Sequence, residues 1–201
     1  MLPPARDPGS LHALMVRWAA YKRAEVRPST YRGYVHLLGL LLPLLGDRSP
    51  GSLTVLDVED TVGQLRDGHS PKTAARALRV LGMVLRQAVR WQLLPSNVAQ
   101  GVRPPRVPKT ELQVWSPEQV QRFLAGARPH RLYPLFLLAL GTGMRKGELL
   151  ALQWQDVDLE AGELTVRRNL VKNEAGSTNW ACRRPRPGSA ASPWRGTRWP
   201  P

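Results

Sequence analysis

Gly141-Thr142-Gly143-Met144-Arg145-Lys146-Gly147-Glu148-Leu149-Leu150 sets one arginine and one glutamate in a glycine-broken turn. Upstream, Leu132, Leu135, Phe136, Leu138, Ala139 and Leu140 read as a nearly all-apolar helix, and Leu149, Leu150, Leu152 and Trp154 as a second one after the break. Glycines allow the sharp turn without a Cβ penalty. Arg145 and Glu148 are three apart and share a face of a helix start. The carboxylate can therefore fix the guanidinium while its fork still reaches an anion. The turn reads as a phosphate-binding corner; its plain alternative is a surface Arg/Glu pair on a buried helix-turn-helix.

The rest of the chain says which anion to expect. Its 201 residues suit two small domains, and 42% hydrophobic content lets each bury a core. A formal charge of +14 favours a polyanionic partner, nucleic acid ahead of an anionic membrane. Residues 1–110 hold 16 basic and 7 acidic side chains, residues 111–176 hold 8 of each, and residues 177–201 hold 5 basic and no acidic ones. The footprint for phosphates is thus expected in the first domain. Neither a long apolar run nor a basic start followed by an apolar stretch is visible, so a cytoplasmic protein without a membrane span is expected. One cysteine, Cys182, excludes an internal disulfide and builds no zinc site with four scattered histidines. No metal and no cofactor are expected.

Four helical stretches precede a proline-rich break. Ser10 caps the first, which runs to about Glu25 on a stripe of Leu11, Leu14, Met15 and Trp18. The second opens at Pro28-Ser29-Thr30, carries Tyr31, Tyr34, Val35, Leu38, Leu41 and Leu42, and stops at Gly46. A short third spans about Asp57 to Arg66, and Ser70-Pro71 opens a fourth with a stripe of Ala74, Leu78, Leu81, Val84, Leu85 and Val89. Beside that stripe lie Lys72, Arg76, Arg79, Arg86 and Arg90, clustered along one side. Spacing alone reads them first as a solvated face. From Asn97 to Thr110 the chain holds Pro104, Pro105 and Pro108 with Arg103, Arg106 and Lys109, and reads as a non-helical linker with phosphate-reaching side chains. Ser116-Pro117-Glu118 opens a new helix. After Leu159, residues 160–163 read as a turn and Leu164-Thr165-Val166-Arg167-Arg168-Asn169-Leu170-Val171 as a strand.

The run from Gly141, with its continuation Ala151-Leu152-Gln153-Trp154-Gln155-Asp156-Val157-Asp158-Leu159, resembles the first catalytic-arginine motif of the tyrosine recombinases, the phage-integrase family. Four helices, a basic linker and Ser-Pro-Glu before another helix are similar to that family's plan. The resemblance implies a mainly α chain: residues 1–9 disordered, a SAM-like four-helix core-binding domain over 10–102, and a linker over 103–115. The start of a catalytic domain follows over 116–176, with at most a short β-strand or hairpin. It also implies that duplex DNA is the partner and that the two domains close around it. Arg145 would hold non-bridging phosphate oxygens and Glu148 would orient it. Lys72, Arg76, Arg79, Arg86, Arg90, Arg103, Arg106, Lys109 and Lys146 would contact DNA. The family cuts DNA with a tyrosine hydroxyl and needs no metal or nucleotide.

The rest of the family's active set is a lysine on a sheet hairpin, a His-x-x-Arg pair, a further His or Trp, and the tyrosine nucleophile. After Arg145 this chain has neither histidine nor tyrosine. His12, His36, His69 and His130 read as surface or boundary residues, and Tyr21, Tyr31, Tyr34 and Tyr133 as core. Lys172 stands at the end of the expected strand, before any hairpin. From Ser177 to Pro201 three of the seven tryptophans and five prolines accumulate with no acid and no periodicity, so an irregular tail that does not extend the sheet is expected. Read one base back, one permitted choice of codons for that tail gives Gly-Leu-Gln-Glu-Thr-Lys-Thr-Arg, of which only the glycine is forced, by the codon of Trp180; that stretch is similar to the family's lysine hairpin. The expectation is a truncated or frameshifted, catalytically incompetent integrase, monomeric in isolation. Its rivals are a stand-alone DNA-binding module competing with an intact recombinase, an enzyme borrowing its missing residues from another chain, and a basic RNA-binding protein. That last rival lacks an aromatic RNA-binding motif.

Overall fold

A computed structural model describes residues 2–5, 7–108, 111–172 and 178–182. The chain divides into two compact units, Met1–Thr110 and Glu111–Pro201.

Four helices build the first unit: α1 (Leu11–Glu25), α2 (Pro28–Leu45), α3 (Val55–Gly68) and α4 (Pro71–Arg90). Their starts are set locally. Ser10, Thr54 and Ser70 each sit in extended backbone and accept an N–H of the first turn, from Ala13, Asp57 and Thr73. Thr54 and Asp57 complete a reciprocal capping box. Every expected apolar residue of α1 and all of the α4 stripe but Val89 are buried, with Ala77, Val80 and Ala88 added to the latter. Trp18 is fully buried and its ring meets that of Tyr34 at 5.3 Å.

The boundaries differ from expectation in three places. Residues 1–9 were expected to be disordered, yet Leu2 packs against the core and the Pro3 carbonyl lies 3.0 Å from His12 Nε2. The stretch from Asn97 is not wholly extended: a 3-10 turn, Val98–Gly101, buries Ala99, and Asn97 Nδ2 donates to the Gly82 carbonyl at 3.0 Å. The prolines begin only at 104, so residues 97–102 remain free to fold onto α4. Tyr21, read as core, is exposed; the tip of α1 leaves it at the surface, edge-on to Trp91 with centroids 5.7 Å apart.

The second unit opens with α5 (Pro117–Ala127), capped by Ser116, and α6 (Tyr133–Thr142). Gly143 takes φ +63°, the left-handed cap conformation, and its N–H returns to the Ala139 carbonyl at 3.0 Å. A single turn follows, α7 (Lys146–Leu149), not the longer apolar helix expected through Trp154. The reason lies at Gln153, whose extended backbone donates its N–H to the Asp156 carboxylate at 3.1 Å; that capping contact starts a 3-10 turn, Trp154–Asp156, and leaves Trp154 85% exposed.

Two antiparallel pairs complete the unit, one more than the short strand or hairpin expected: β1 (Val157–Asp158) with β2 (Glu163–Leu164), and β3 (Arg168–Lys172) with β4 (Thr178–Cys182). The strand expected over 164–171 is thus split. Thr165 donates its N–H to the Asp156 carbonyl at 2.8 Å while Arg167 and Arg168 turn to the same residue, and the ladder is interrupted there. The tail was expected to leave the sheet unextended, but 178–182 pairs with β3 in the register Arg168↔Cys182 to Lys172↔Thr178. Thr178 and Trp180 favour extended backbone, and β3 needs partners for its N–H and C=O groups. Residues 183–201, the rest of that expected tail, lie outside the described residues. Among the described residues no helix is long and apolar enough to cross a membrane.

Candidate nucleic-acid interface

In the first unit the cations are ordered by the pitch of one helix. At about 100° per residue, Lys72, Arg76, Arg79, Arg86 and Arg90 fall within an arc of about 80°. The buried residues Ala74, Ala77, Leu78, Leu81, Val84, Leu85 and Ala88 occupy the opposite side of α4. All five cations are exposed, as are Arg103 and Arg106 after the 3-10 turn. Lys109 lies outside the described residues. Past the end of α4, the Arg17 guanidinium stands 5.3 Å from the centroid of Trp91, a pairing that spacing within single helices did not reveal.

In the second unit the corner between α6 and α7 has the geometry its sequence implies. Thr142 Oγ1 donates to the Leu138 carbonyl at 2.6 Å and accepts the Met144 N–H at 3.3 Å, which bends the chain out of α6. Arg145 then caps α7. Its N–H donates to Glu148 Oε2 at 3.1 Å and its Nη1 to Oε1 at 3.4 Å. The glutamate side chain is 14% exposed and the arginine side chain 82%. One carboxylate therefore holds both the backbone and one terminal nitrogen of the fork, and leaves the remaining guanidinium donors open to an anion. Lys146 is exposed beside it. Gly147 lies against Asn169 and the Leu170 carbonyl of β3, so the turn rests on the sheet.

The second unit also holds a cluster the sequence reading missed. Asp156, its side chain 2% exposed, accepts hydrogen bonds from Arg168 Nη2 and the Gln153 N–H, and Arg167 Nε approaches its other oxygen at 3.5 Å. Burial pushes this carboxyl up, but the hydrogen bonds and the two guanidinium charges outweigh it, and Asp156 is held below the ordinary aspartate range. The available signal was a lone acid closing the half-apolar run Ala151-Leu152-Gln153-Trp154-Gln155-Asp156.

The other groups weighed from sequence do not join a site. His36, His69 and His130 are exposed, and His130 Nδ1 accepts the Leu132 N–H at 3.1 Å. Tyr31, Tyr34 and Tyr133 are half-buried on their helices. Lys172 ends β3 opposite Thr178, so a hairpin does follow it. Among the described residues no group of His, Cys, Asp and Glu could hold a metal ion.

Comparison with known proteins agrees with this geometry. Residues 113–179 match the model of the phage integrase family. A XerC-like tyrosine recombinase of Caldanaerobacter subterraneus subsp. tengcongensis is 37% identical over 109 residues, 51% of this chain and 28% of that protein. IntQ of Escherichia coli K12, described as a defective protein, is 27% identical over 184 residues, 84% of this chain and 46% of that one. Among solved structures, the Tn1549 transposon integrase with transposon right end DNA superposes with a TM-score of 0.77 at 21% identity, over 87% of this chain and 57% of that one. Lambda integrase bound to a COC' core site gives 0.67 at 17% identity, over 86% and 62%. Residues 113–179 are thus of the phage integrase, or tyrosine recombinase, family, and the chain is similar to its members over most of its length. It spans from 28% to 46% of the length of the two curated relatives named here.

Proposed function

We propose that this 201-residue chain is a DNA-binding protein of the tyrosine-recombinase type that serves DNA integration and site-specific recombination as a binder, and is catalytically incompetent by itself. The observation that carries the reading is the exposed cation stripe of α4, opposite its buried face, on the unit with the basic excess. Such a row neutralises phosphates along a duplex. Arg103, Arg106 and Lys109 extend it, while Arg145, oriented by Glu148, and Lys146 address a phosphate from the second unit. The solved relatives named above were captured with DNA, which favours a duplex over RNA.

Incompetence follows from chemistry. The 201 residues supply an arginine and a glutamate at the corner, but no tyrosine or histidine after it. The match to the family model ends at residue 179, beside the change of composition at 177, which supports a shift of reading frame there. Sequencing the gene tests that: the alternative frame after codon 176 should give His-x-x-Arg and a downstream tyrosine, and their absence would remove the idea. A second reading, a stand-alone module occupying recombination sites against an intact recombinase, is favoured by the first unit's nearly complete share of the core. In either reading the chain is a monomer in isolation.

Titration of the chain with duplex DNA at several salt concentrations tests the proposal. Affinity should fall steeply with salt, and Arg86→Ala or Arg90→Ala should each reduce the logarithmic slope by about one, alike on all sequences. Unchanged affinity and slope in both variants would remove the α4 face.

A further inference from the structure

We infer that Arg167 is a second phosphate contact of the Arg145 unit, tethered from beneath by Asp156. The inference rests on the DNA-binding reading and adds to it a residue outside the arginine corner.

The argument starts from charge. Asp156 is buried, carries one negative charge, and faces two guanidinium groups. Arg168 alone neutralises it: that side chain is 23% exposed, donates through Nη2 to Oδ2, and has its Nε buried. Arg168 is spent on the fold. Arg167 is 63% exposed and approaches Oδ1 with Nε at 3.5 Å, an ion pair without a hydrogen bond. A pairing through Nε leaves the two terminal nitrogens of the fork as paired donors for two oxygens of a phosphate. Holding the base of a long side chain also reduces the rotamer entropy lost when its tip binds. The cluster keeps one net positive charge, displayed on Arg167.

Position supports the same role. Gly147 of α7 lies against Asn169 of β3. Arg145 stands two residues before the first, Arg167 two residues before the second. With about 3.8 Å between successive Cα atoms, each arginine lies within about 8 Å of that contact along its chain. Their separation is therefore shorter than one turn of duplex, about 34 Å. One DNA backbone can meet both.

The test uses the 201-residue chain, a duplex oligonucleotide and a salt series, with Arg86→Ala as the yardstick and thermal unfolding as the control. Arg167→Ala should reduce the logarithmic salt slope by about one, so that its affinity loss between 50 and 200 mM salt is about 3.5-fold smaller than wild type. Its unfolding midpoint should fall only slightly, since so exposed an ion pair contributes little. Arg145→Ala with Arg167→Ala should reduce the slope by about two. Arg167→Lys should restore the slope, because a lysine still neutralises one phosphate. If Arg86→Ala lowers the slope and Arg167→Ala does not, this inference fails and the DNA-binding reading stands. A markedly lower midpoint with the slope unchanged would make Arg167 a structural residue and overturn the inference. Absence of salt-dependent binding in the wild-type chain would overturn both.

Discussion

Gly147 and Asn169 lock the single turn of α7 onto β3: a β-carbon at 147 would collide with Asn169 Oδ1 and stand 2.9 Å from the Leu170 carbonyl oxygen. The amide of Asn169 can swing aside, but the strand backbone cannot without breaking its pairing with β4.

Gly147→Ala should therefore destabilise the second unit by about 1–3 kcal/mol, the usual cost of overpacking. Adding Asn169→Ala should recover only part of that loss. Thermal unfolding of the two variants decides it, and full recovery in the double variant would mean that the Leu170 carbonyl does not constrain α7.

Arg145→Ala should weaken binding at a recombination site more than on random duplex, by roughly 1.5–3 kcal/mol for a charge-assisted contact. Lysine should rescue only in part, since it lacks the planar fork that Glu148 orients. Competition titrations against both duplexes measure this. Equal losses would reduce Arg145 to an ordinary surface cation.

The chain should form no covalent adduct with a nicked substrate that traps phosphotyrosine. Denaturing electrophoresis is the direct observation, and a shifted band removed by protease would show an active recombinase. Mapping such a band to Tyr133, a half-buried residue at the start of α6, would assign that side chain a second role.

Asp156 gives a pH dependence with a definite sign. Burial raises its carboxyl, the contacts from Arg168, Gln153 and Arg167 lower it further, and the folded value lies below the unfolded one of about 3.9. The stabilisation is complete above the unfolded value and is lost as pH falls through the folded value. Amide resonances of 163–172 should thus lose dispersion on acidification below about pH 4. Asp156→Asn should cost roughly 1–3 kcal/mol at neutral pH and flatten that acid limb. An unaltered acid limb in the variant would transfer the effect to another carboxylate of the second unit, such as Glu118 at the α5 cap.

What could be read from the chain followed from how local each cause is. Ser10, Ser70 and Ser116 announce helix starts because a hydroxyl three residues from an N–H is a local event. Arg145 and Glu148 were legible for the same reason, three residues apart on one turn. Asp156 and Arg168 lie twelve residues apart, and nothing between them signals that the acid will draw Arg168 inward and split a β-rich run in two. Trp154 looked like the end of an apolar helix because its exposure depends on the Gln153 capping contact, which periodicity does not encode. Thr178–Cys182 became a strand through pairing with β3, against a composition that argues for irregular chain.

Among the described residues, every buried apolar side chain except Ala151 and Leu164 belongs to the first unit. The two halves should then open at different free energies. Deuterium should enter the amides of α5, α6 and β3 long before those of α1 and α4, and brief proteolysis should pare the chain toward a resistant fragment close to residues 10–102. A cell that makes this protein would thus be expected to retain the helical half longest, with its arginine stripe intact.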